Sequence, residues 1–418
     1  MIDRSIANQP ATARPYVWLS TIIIGYIGVY LCRKNLSVAI PMLQQEFGVS
    51  KADLGTVVSA STIAYAAGKF VFGPLIDRIG GRACLFASMF LVAVWGVCGA
   101  FAGSLASLTL FYSANRLAGS MAWGSMVKLV PDWFGTKTLP LAMACLSLSF
   151  VFGGVCATLF AGQVAAWTSN QWRMVMGVPS AVVIVLLLLN WIILPRHVTA
   201  ETGLANGTSS GFRAGQILAL LRIRQFWVVC ALSFTLTLLR ETFNTWTVDF
   251  FKTEGGAAMS LQVAAFLSTP FDAFGAVGIV LLGYVFGRIS KPARRHLLCG
   301  ILVALSFLIF SLPHLIHFNL WAVTLAIGGV GFLAYGPYSL LAGIFAVEIR
   351  GKEQVATVAG LVDGTGYVAS ILAGRQFGKI VDSGGYALGF KCLAGLALAS
   401  AFICLFLYRD SESKTSSN

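Results

Sequence analysis

The stretch G-Y-I-G-V-Y-L-C-R-K-N, residues 25–35, decides how this chain is read. It places Arg33 and Lys34 inside an apolar run that starts near Tyr16 and continues to Met42. Roughly 20 helical residues cross the hydrocarbon of a bilayer, so the run predicts a membrane helix with two cations halfway along it or a little beyond. A charge at that depth is costly and is kept where it faces a cavity or a partner. Tyr26, Tyr30 and Arg33 recur at i, i+4 and i+7, so two phenols and a guanidinium share one helix face. Such a face suits an anion rich in hydrogen-bonding oxygens.

The rest of the composition agrees with a membrane setting. The chain is 57% hydrophobic and 11% charged, with a mean hydropathy of +0.81. A soluble protein carries about 25% charged residues, so most of this surface is solvated by lipid. The 44 glycines and 12 prolines fit membrane helices, where small residues allow close approach. The nine cysteines all fall in apolar runs without paired spacing. They are expected to pack as small hydrophobes, with no disulfide and no metal. No signal peptide is expected ahead of the first long helix.

Twelve spans are predicted, about 16–43, 51–76, 83–103, 108–133, 140–165, 174–194, 226–247, 262–286, 297–313, 320–346, 355–379 and 387–407. The one long polar connection separates a first half, 1–195, from a second, 226–418, with 196–225 as a cytoplasmic linker. Lys and Arg crowd one set of loops, including Arg78, Arg82, Lys137, Arg222, Arg224, Arg294, Arg295, Arg350 and Arg409, while the opposite loops hold Lys51, Arg173 and Lys252. The positive-inside bias puts both termini in the cytoplasm. It also accounts for the net charge of +13 as an ordinary cytoplasmic face, so nucleic acid is not an expected partner.

The halves read as a parallel repeat. G-P-L-I-D-R-I-G-G-R, 73–82, is echoed by G-Y-V-F-G-R-I-S-K-P-A-R-R, 283–295. Arg33 of the first span has a counterpart at similar depth in Arg240 of the seventh. Twofold-related halves with a midplane site between them are a general transporter design.

These segments resemble a known family. The 73–82 loop is similar to the loop motif of the major facilitator superfamily. Y-L-C-R-K-N-L-S-V-A-I-P (30–41), A-Y-A-A-G-K-F-V-F-G (64–73), L-L-R-E-T-F-N-T-W (238–246), F-L-A-Y-G-P (332–337) and G-L-V-D-G-T-G-Y (360–367) more specifically resemble the organophosphate:phosphate antiporters. The resemblance implies the all-α major facilitator fold, with twelve transmembrane helices in two pseudo-twofold-related six-helix halves. It implies exchange of an organic phosphate for inorganic phosphate, with Arg33 and Arg240 binding the phosphate. Family site positions also fall on Tyr26, Tyr30, Lys34, Tyr65, Lys69, Tyr335 and Tyr367. Ser149 stands where bacterial members often have a histidine, and Arg116 is a cation gained in the fourth helix. Asp272, Asp77 and Arg116 are the candidates for coupling or gating.

The residues themselves leave alternatives open. Lys34 binds substrate or pairs with Asp272 across the halves, the pairing being favoured. Lys69 faces the pathway or pairs with Asp77. Arg116 belongs to proton coupling, adds a third cation for a more highly charged substrate, or is a structural tie. Arg33 and Arg240 would also serve a carboxylate, with Asp272, Glu241 or Asp363 carrying a proton, so a proton-coupled symporter is the main alternative. A membrane sensor of sugar phosphate is another. Enzyme chemistry is not expected: the four histidines lie in loops or at helix ends, and neither a G-x-x-x-x-G-K loop nor a nucleophile elbow is present. No cofactor is implied. The expected partners are a small organic or inorganic phosphate anion and the lipid bilayer, in a monomer of the bacterial inner membrane.

Overall fold

The computed structural model describes residues 14–135, 138–195, 220–256, 258–341, 345, 348–349 and 355–407. Within them the chain is helical, because a lipid-embedded backbone has to satisfy its own N–H and C=O groups. In chain order the helices are α1 Arg14–Phe47, α2 Lys51–Ile79, α3 Gly81–Ala100, α4 Leu105–Leu129, α5 Leu139–Trp167, α6 Trp172–Ile193 and α7 Arg224–Glu254. They continue as α8 Leu261–Ser268, α9 Pro270–Phe286, α10 Lys291–Phe318, α11 Leu320–Leu340, α12 Val355–Leu372 and α13 Arg375–Cys404.

Among the described residues, ten segments are long and apolar enough to cross a membrane. The last of these, Leu361–Cys404, doubles back at Gly384 and Gly385, the latter at φ 69°, a left-handed conformation that glycine adopts freely. It therefore makes two crossings. The remaining crossing is α4, made less apolar by Ser113, Asn115, Arg116 and Ser120. Twelve crossings result, as the sequence predicts, but two are broken. The eighth changes from α8 to α9 at Thr269–Pro270, where proline lacks the N–H that would continue the ladder. The eleventh breaks between α12 and α13, where Gly374 has ψ −99°. The central connection, 196–219, lies outside the described residues.

The two six-helix halves meet through α1, α2 and α5 on one side and α7, α8, α9, α12 and α13 on the other. Contact is tightest at the end bearing Lys51. A Cβ on Gly55 would lie 2.6 Å from the Gly374 carbonyl oxygen, so only glycine lets these backbones touch. Ser59 Oγ donates to the Ile371 carbonyl at 2.6 Å and accepts from Arg375 N at 3.0 Å. The backbone amides of Lys51 and Ala52 donate to the Asp382 carboxylate, so the α2 N-terminus is capped from the other half. Lys51 Nζ pairs with Asp249, which also accepts from Tyr386 Oη. Gln262 donates to Gln163 at 2.7 Å. These hydrogen bonds joining the halves lie at this end or at mid-depth. The opposite end leaves Lys69 and Asp363 exposed at the mouth of a central cavity.

Asp249 is 1% exposed at its side chain and Lys51 11%. Removing one member of such a buried pair costs about 3–5 kcal/mol, because the other charge is left uncompensated. Asp249→Asn is therefore expected to lower hydrogen-exchange protection of 49–59 and 371–386 by more than about a hundredfold, with the Lys51→Met/Asp249→Leu double variant recovering most of it. Protection unchanged in the single variant would show that this pair does not hold the seal.

Candidate functional site

The cavity between the halves has a volume of about 270 Å³. Its walls come from α1, α2, α4 and α5 on one side and α7, α9, α11 and α12 on the other. The i, i+4, i+7 face of α1 points into it as expected. Tyr26 and Tyr30 pack edge to face at 5.2 Å, and Arg33 Nη1 donates to Tyr30 Oη at 3.1 Å. Tyr112 of α4 donates to the Arg33 carbonyl, which fixes the helix turn carrying that guanidinium.

Arg33 and Arg240 are joined by Glu241. Its Oε1 accepts from Arg240 Nη2 at 2.7 Å and lies 4.0 Å from Arg33 Nη2. Arg33 sits 5.0 Å from the Tyr30 ring centroid and 5.2 Å from that of Tyr65. Arg240 sits 4.1 Å from the Tyr338 ring centroid and 5.7 Å from that of Tyr335. Ring faces are negative, so they hold cations in low dielectric without adding a net charge. Lys69 is placed in the same way, 5.3 Å from the Tyr65 ring and 5.4 Å from the Tyr367 ring. Its position is thus at the cavity mouth; the side chain of Asp77, its alternative partner, lies outside the described residues.

Lys34 takes the paired arrangement. Its Nζ donates to Asp272 Oδ2 at 2.6 Å and to Asn244 Oδ1 at 2.5 Å. Tyr335 Oη donates to the other Asp272 oxygen at 2.6 Å and accepts from Asn244 Nδ2 at 3.3 Å. One residue from the first half is thereby tied to three from the second. The F-G-G at 152–154 makes room for this cluster: a Cβ on Gly154 would stand 2.7 Å from Asp272 Oδ2.

Arg116 also lines the cavity. It is 8% exposed, and its guanidinium lies 4.6 Å from the Tyr65 ring centroid. It makes no hydrogen bond or ion pair with the described residues, so the structural-tie alternative finds no support in its geometry.

The expectation for Ser149 is corrected. It is 1% exposed and its Oγ donates back to the Leu146 carbonyl, the local bond a helical serine makes when it faces packing rather than a ligand. Phe150 and Gly154 are the α5 residues that reach the cavity. Asn244 and Tyr338 also line the cavity without a signal in the sequence, and Glu241, a candidate proton carrier by sequence, forms a bridge instead. The R-E pair at 240–241 was the available signal, since a carboxylate beside a buried arginine is its cheapest counter-ion.

The comparisons with known proteins agree with this architecture. The chain is 26% identical to the probable hexose phosphate transport protein of Chlamydia pneumoniae, covering 97% of this chain and 94% of that one. It is 26% identical to the glycerol-3-phosphate transporter of Bacillus subtilis (strain 168), covering 92% and 90%. A crystal structure of a bacterial homolog of the human lysosomal transporter Spinster superposes with a TM-score of 0.76 over 97% of this chain and 98% of that one, at 16% identity, a likeness of fold. Residues 22–374 match the Major Facilitator Superfamily, and with twelve crossings in two halves around one central cavity, this multi-pass membrane protein belongs to that family of transporters.

Proposed function

We propose that this protein exchanges an organic phosphate for inorganic phosphate by alternating access. In this reading it lies in a bacterial inner membrane, both termini are cytoplasmic, and the cavity opens to that side. The observation that carries the reading is the charge of the cavity wall. Five cations, Arg33, Lys34, Lys69, Arg116 and Arg240, face three carboxylates, Glu241, Asp272 and Asp363, an excess of two positive charges. A phosphate monoester carries about −1.5 to −2 charges near neutral pH, so loading brings the cavity close to neutrality.

Arg33 and Arg240 belong to different halves, and each presents a fork that matches phosphate oxygens and stays protonated at any working pH. A phosphate held by both would draw the halves together on the side now open. The loaded cavity then reorients with its charges balanced. The empty one keeps its excess in low dielectric and reorients slowly, which couples the outward passage of one phosphate to the inward passage of another. The relatives named for hexose phosphate and glycerol-3-phosphate support a sugar phosphate or three-carbon phosphate as the ester. The 270 Å³ volume is in keeping with that size.

Reconstituted protein is expected to exchange labelled phosphate, and Arg33→Ala and Arg240→Ala are each expected to slow that exchange by at least about a hundredfold. Lysine at either position should recover little, because a point charge does not replace the fork. Ester uptake that runs as fast without counter-phosphate would contradict exchange. Uptake that needs a pH gradient and ignores phosphate would assign the site to a proton-coupled carboxylate carrier.

Asp272→Asn would strip Lys34 of its counter-charge and add one positive charge to the cavity. Phosphate should then bind about three- to tenfold more tightly while turnover falls, since the loaded cavity is no longer neutral. Affinity and turnover both unchanged in exchange assays would remove this cluster from the mechanism.

A further inference from the structure

Glu241 stands where a transported anion would have to stand. One carboxylate oxygen is within hydrogen-bond distance of Arg240 and at ion-pair distance from Arg33, so the two guanidiniums that come from different halves are already bridged by an anion of the protein itself. Close by is a guanidinium with the opposite deficiency. Arg116 is 8% exposed, lines the same cavity and has no hydrogen bond or ion pair among the described residues. Arg33 and Arg116 lie 5.2 and 4.6 Å from the centroid of the same Tyr65 ring, so they are neighbours across one wall.

From these two observations we infer that Glu241 is a tethered competitor for the substrate position, and that Arg116 receives its carboxylate when an incoming anion displaces it. The inference rests on the exchange reading above and narrows its substrate class to anions whose head group carries two negative charges. A monoanionic head, such as a carboxylate or a sulfate monoester, offers Arg33 and Arg240 no more charge than Glu241 already does. It also lacks the advantage of being covalently held at the site. A phosphate dianion offers twice the charge and a third oxygen, so it displaces Glu241, and the displaced carboxylate moves to the unpaired Arg116. Glu241 is therefore a specificity-determining residue, and Arg116 a positioning residue that acts through it.

The test uses two probes of nearly equal shape and different charge, methyl phosphate and methyl sulfate, as competitors of labelled phosphate exchange by the full chain in proteoliposomes at pH 8. At that pH the first is a dianion and the second a monoanion. Wild type should be inhibited by methyl phosphate and need about a hundredfold more methyl sulfate for the same effect. In Glu241→Gln the difference should shrink to about tenfold or less, because the competing carboxylate is gone. Arg116→Gln should raise the phosphate KM about tenfold, and the Arg116→Gln/Glu241→Gln double variant should reverse that rise. A purely structural role for either residue would change exchange without changing charge selectivity. Equal inhibition of wild type by the two probes overturns the inference with no variant needed, so a Glu241→Gln protein that does not fold leaves it open to refutation. Unaltered selectivity in a well-folded Glu241→Gln protein also overturns it, while phosphate exchange itself stands. Absence of any phosphate exchange in wild type would instead refute the exchange reading, and this inference with it.

Discussion

A guanidinium in the middle of a membrane cannot escape its charge by losing a proton, and in hydrocarbon it has no water to share that charge with. Most of what surrounds the cavity follows from this constraint. Arg33, Arg116 and Arg240 are each laid against tyrosine rings, and the exposed Lys69 rests between Tyr65, which it shares with Arg116, and Tyr367. Tyrosine serves here better than phenylalanine, because the ring face attracts the cation while the hydroxyl hydrogen-bonds a neighbour. Tyr30 and Tyr335 do both. Where rings are insufficient the fold adds carboxylates, Glu241 between two arginines and Asp272 on Lys34. It stops short of neutrality, and the remaining excess is the feature on which the anion-exchange reading rests.

Placing that excess between two bodies links binding to shape. At the Lys51 end the halves are held by backbone contact at Gly55 and Gly374, by a helix cap supplied across the interface and by the Lys51–Asp249–Tyr386 cluster. None of these contacts involves the cations that line the cavity. The seal and the site are thus built from separate groups, and a solute held by Arg33 and Arg240 can favour closure of the open end without first breaking the closed one. The broken eighth and eleventh crossings lie in the second half, where α8, α9, α12 and α13 meet the first. A proline and a glycine there allow one part of a crossing to move while the other stays packed.

Much of this was legible in the chain because charge inside an apolar run is conspicuous. Arg33, Lys34, Arg116 and Arg240 stand out against 57% hydrophobic composition, and the tyrosines follow from helical spacing. The Lys34–Asp272 pair was also foreseeable, since a buried lysine needs an acid and few exist within the spans. Ser149 was misplaced for a physical reason. Its position came from resemblance to a histidine, but a serine hydroxyl can turn back to its own helix, and the Leu146 carbonyl was available. The helix breaks were harder to see. Hydropathy runs smoothly across Thr269–Pro270, and at the second break Gly374 packs its backbone against Gly55 from a distant part of the chain. Asn244 and Tyr338 carry no charge and sit at ordinary positions in α7 and α11, so only packing reveals them.

The two bridges that join the halves at mid-depth are unequal, and the inequality assigns them different parts. Asp272 uses both oxygens at 2.6 Å, one on Lys34 and one on Tyr335, and the paired side chains are 12% and 6% exposed. A pair so fully satisfied is expensive to open, because each group would lose several hydrogen bonds at once. Glu241 holds Arg240 closely but reaches Arg33 at only 4.0 Å, with side chains 19% and 22% exposed. Weaker contact and greater access to water make it the bridge that an incoming anion can replace at little cost. On the exchange reading, the firm bridge would keep the halves in register, and the loose one would mark the place where solute charge replaces protein charge.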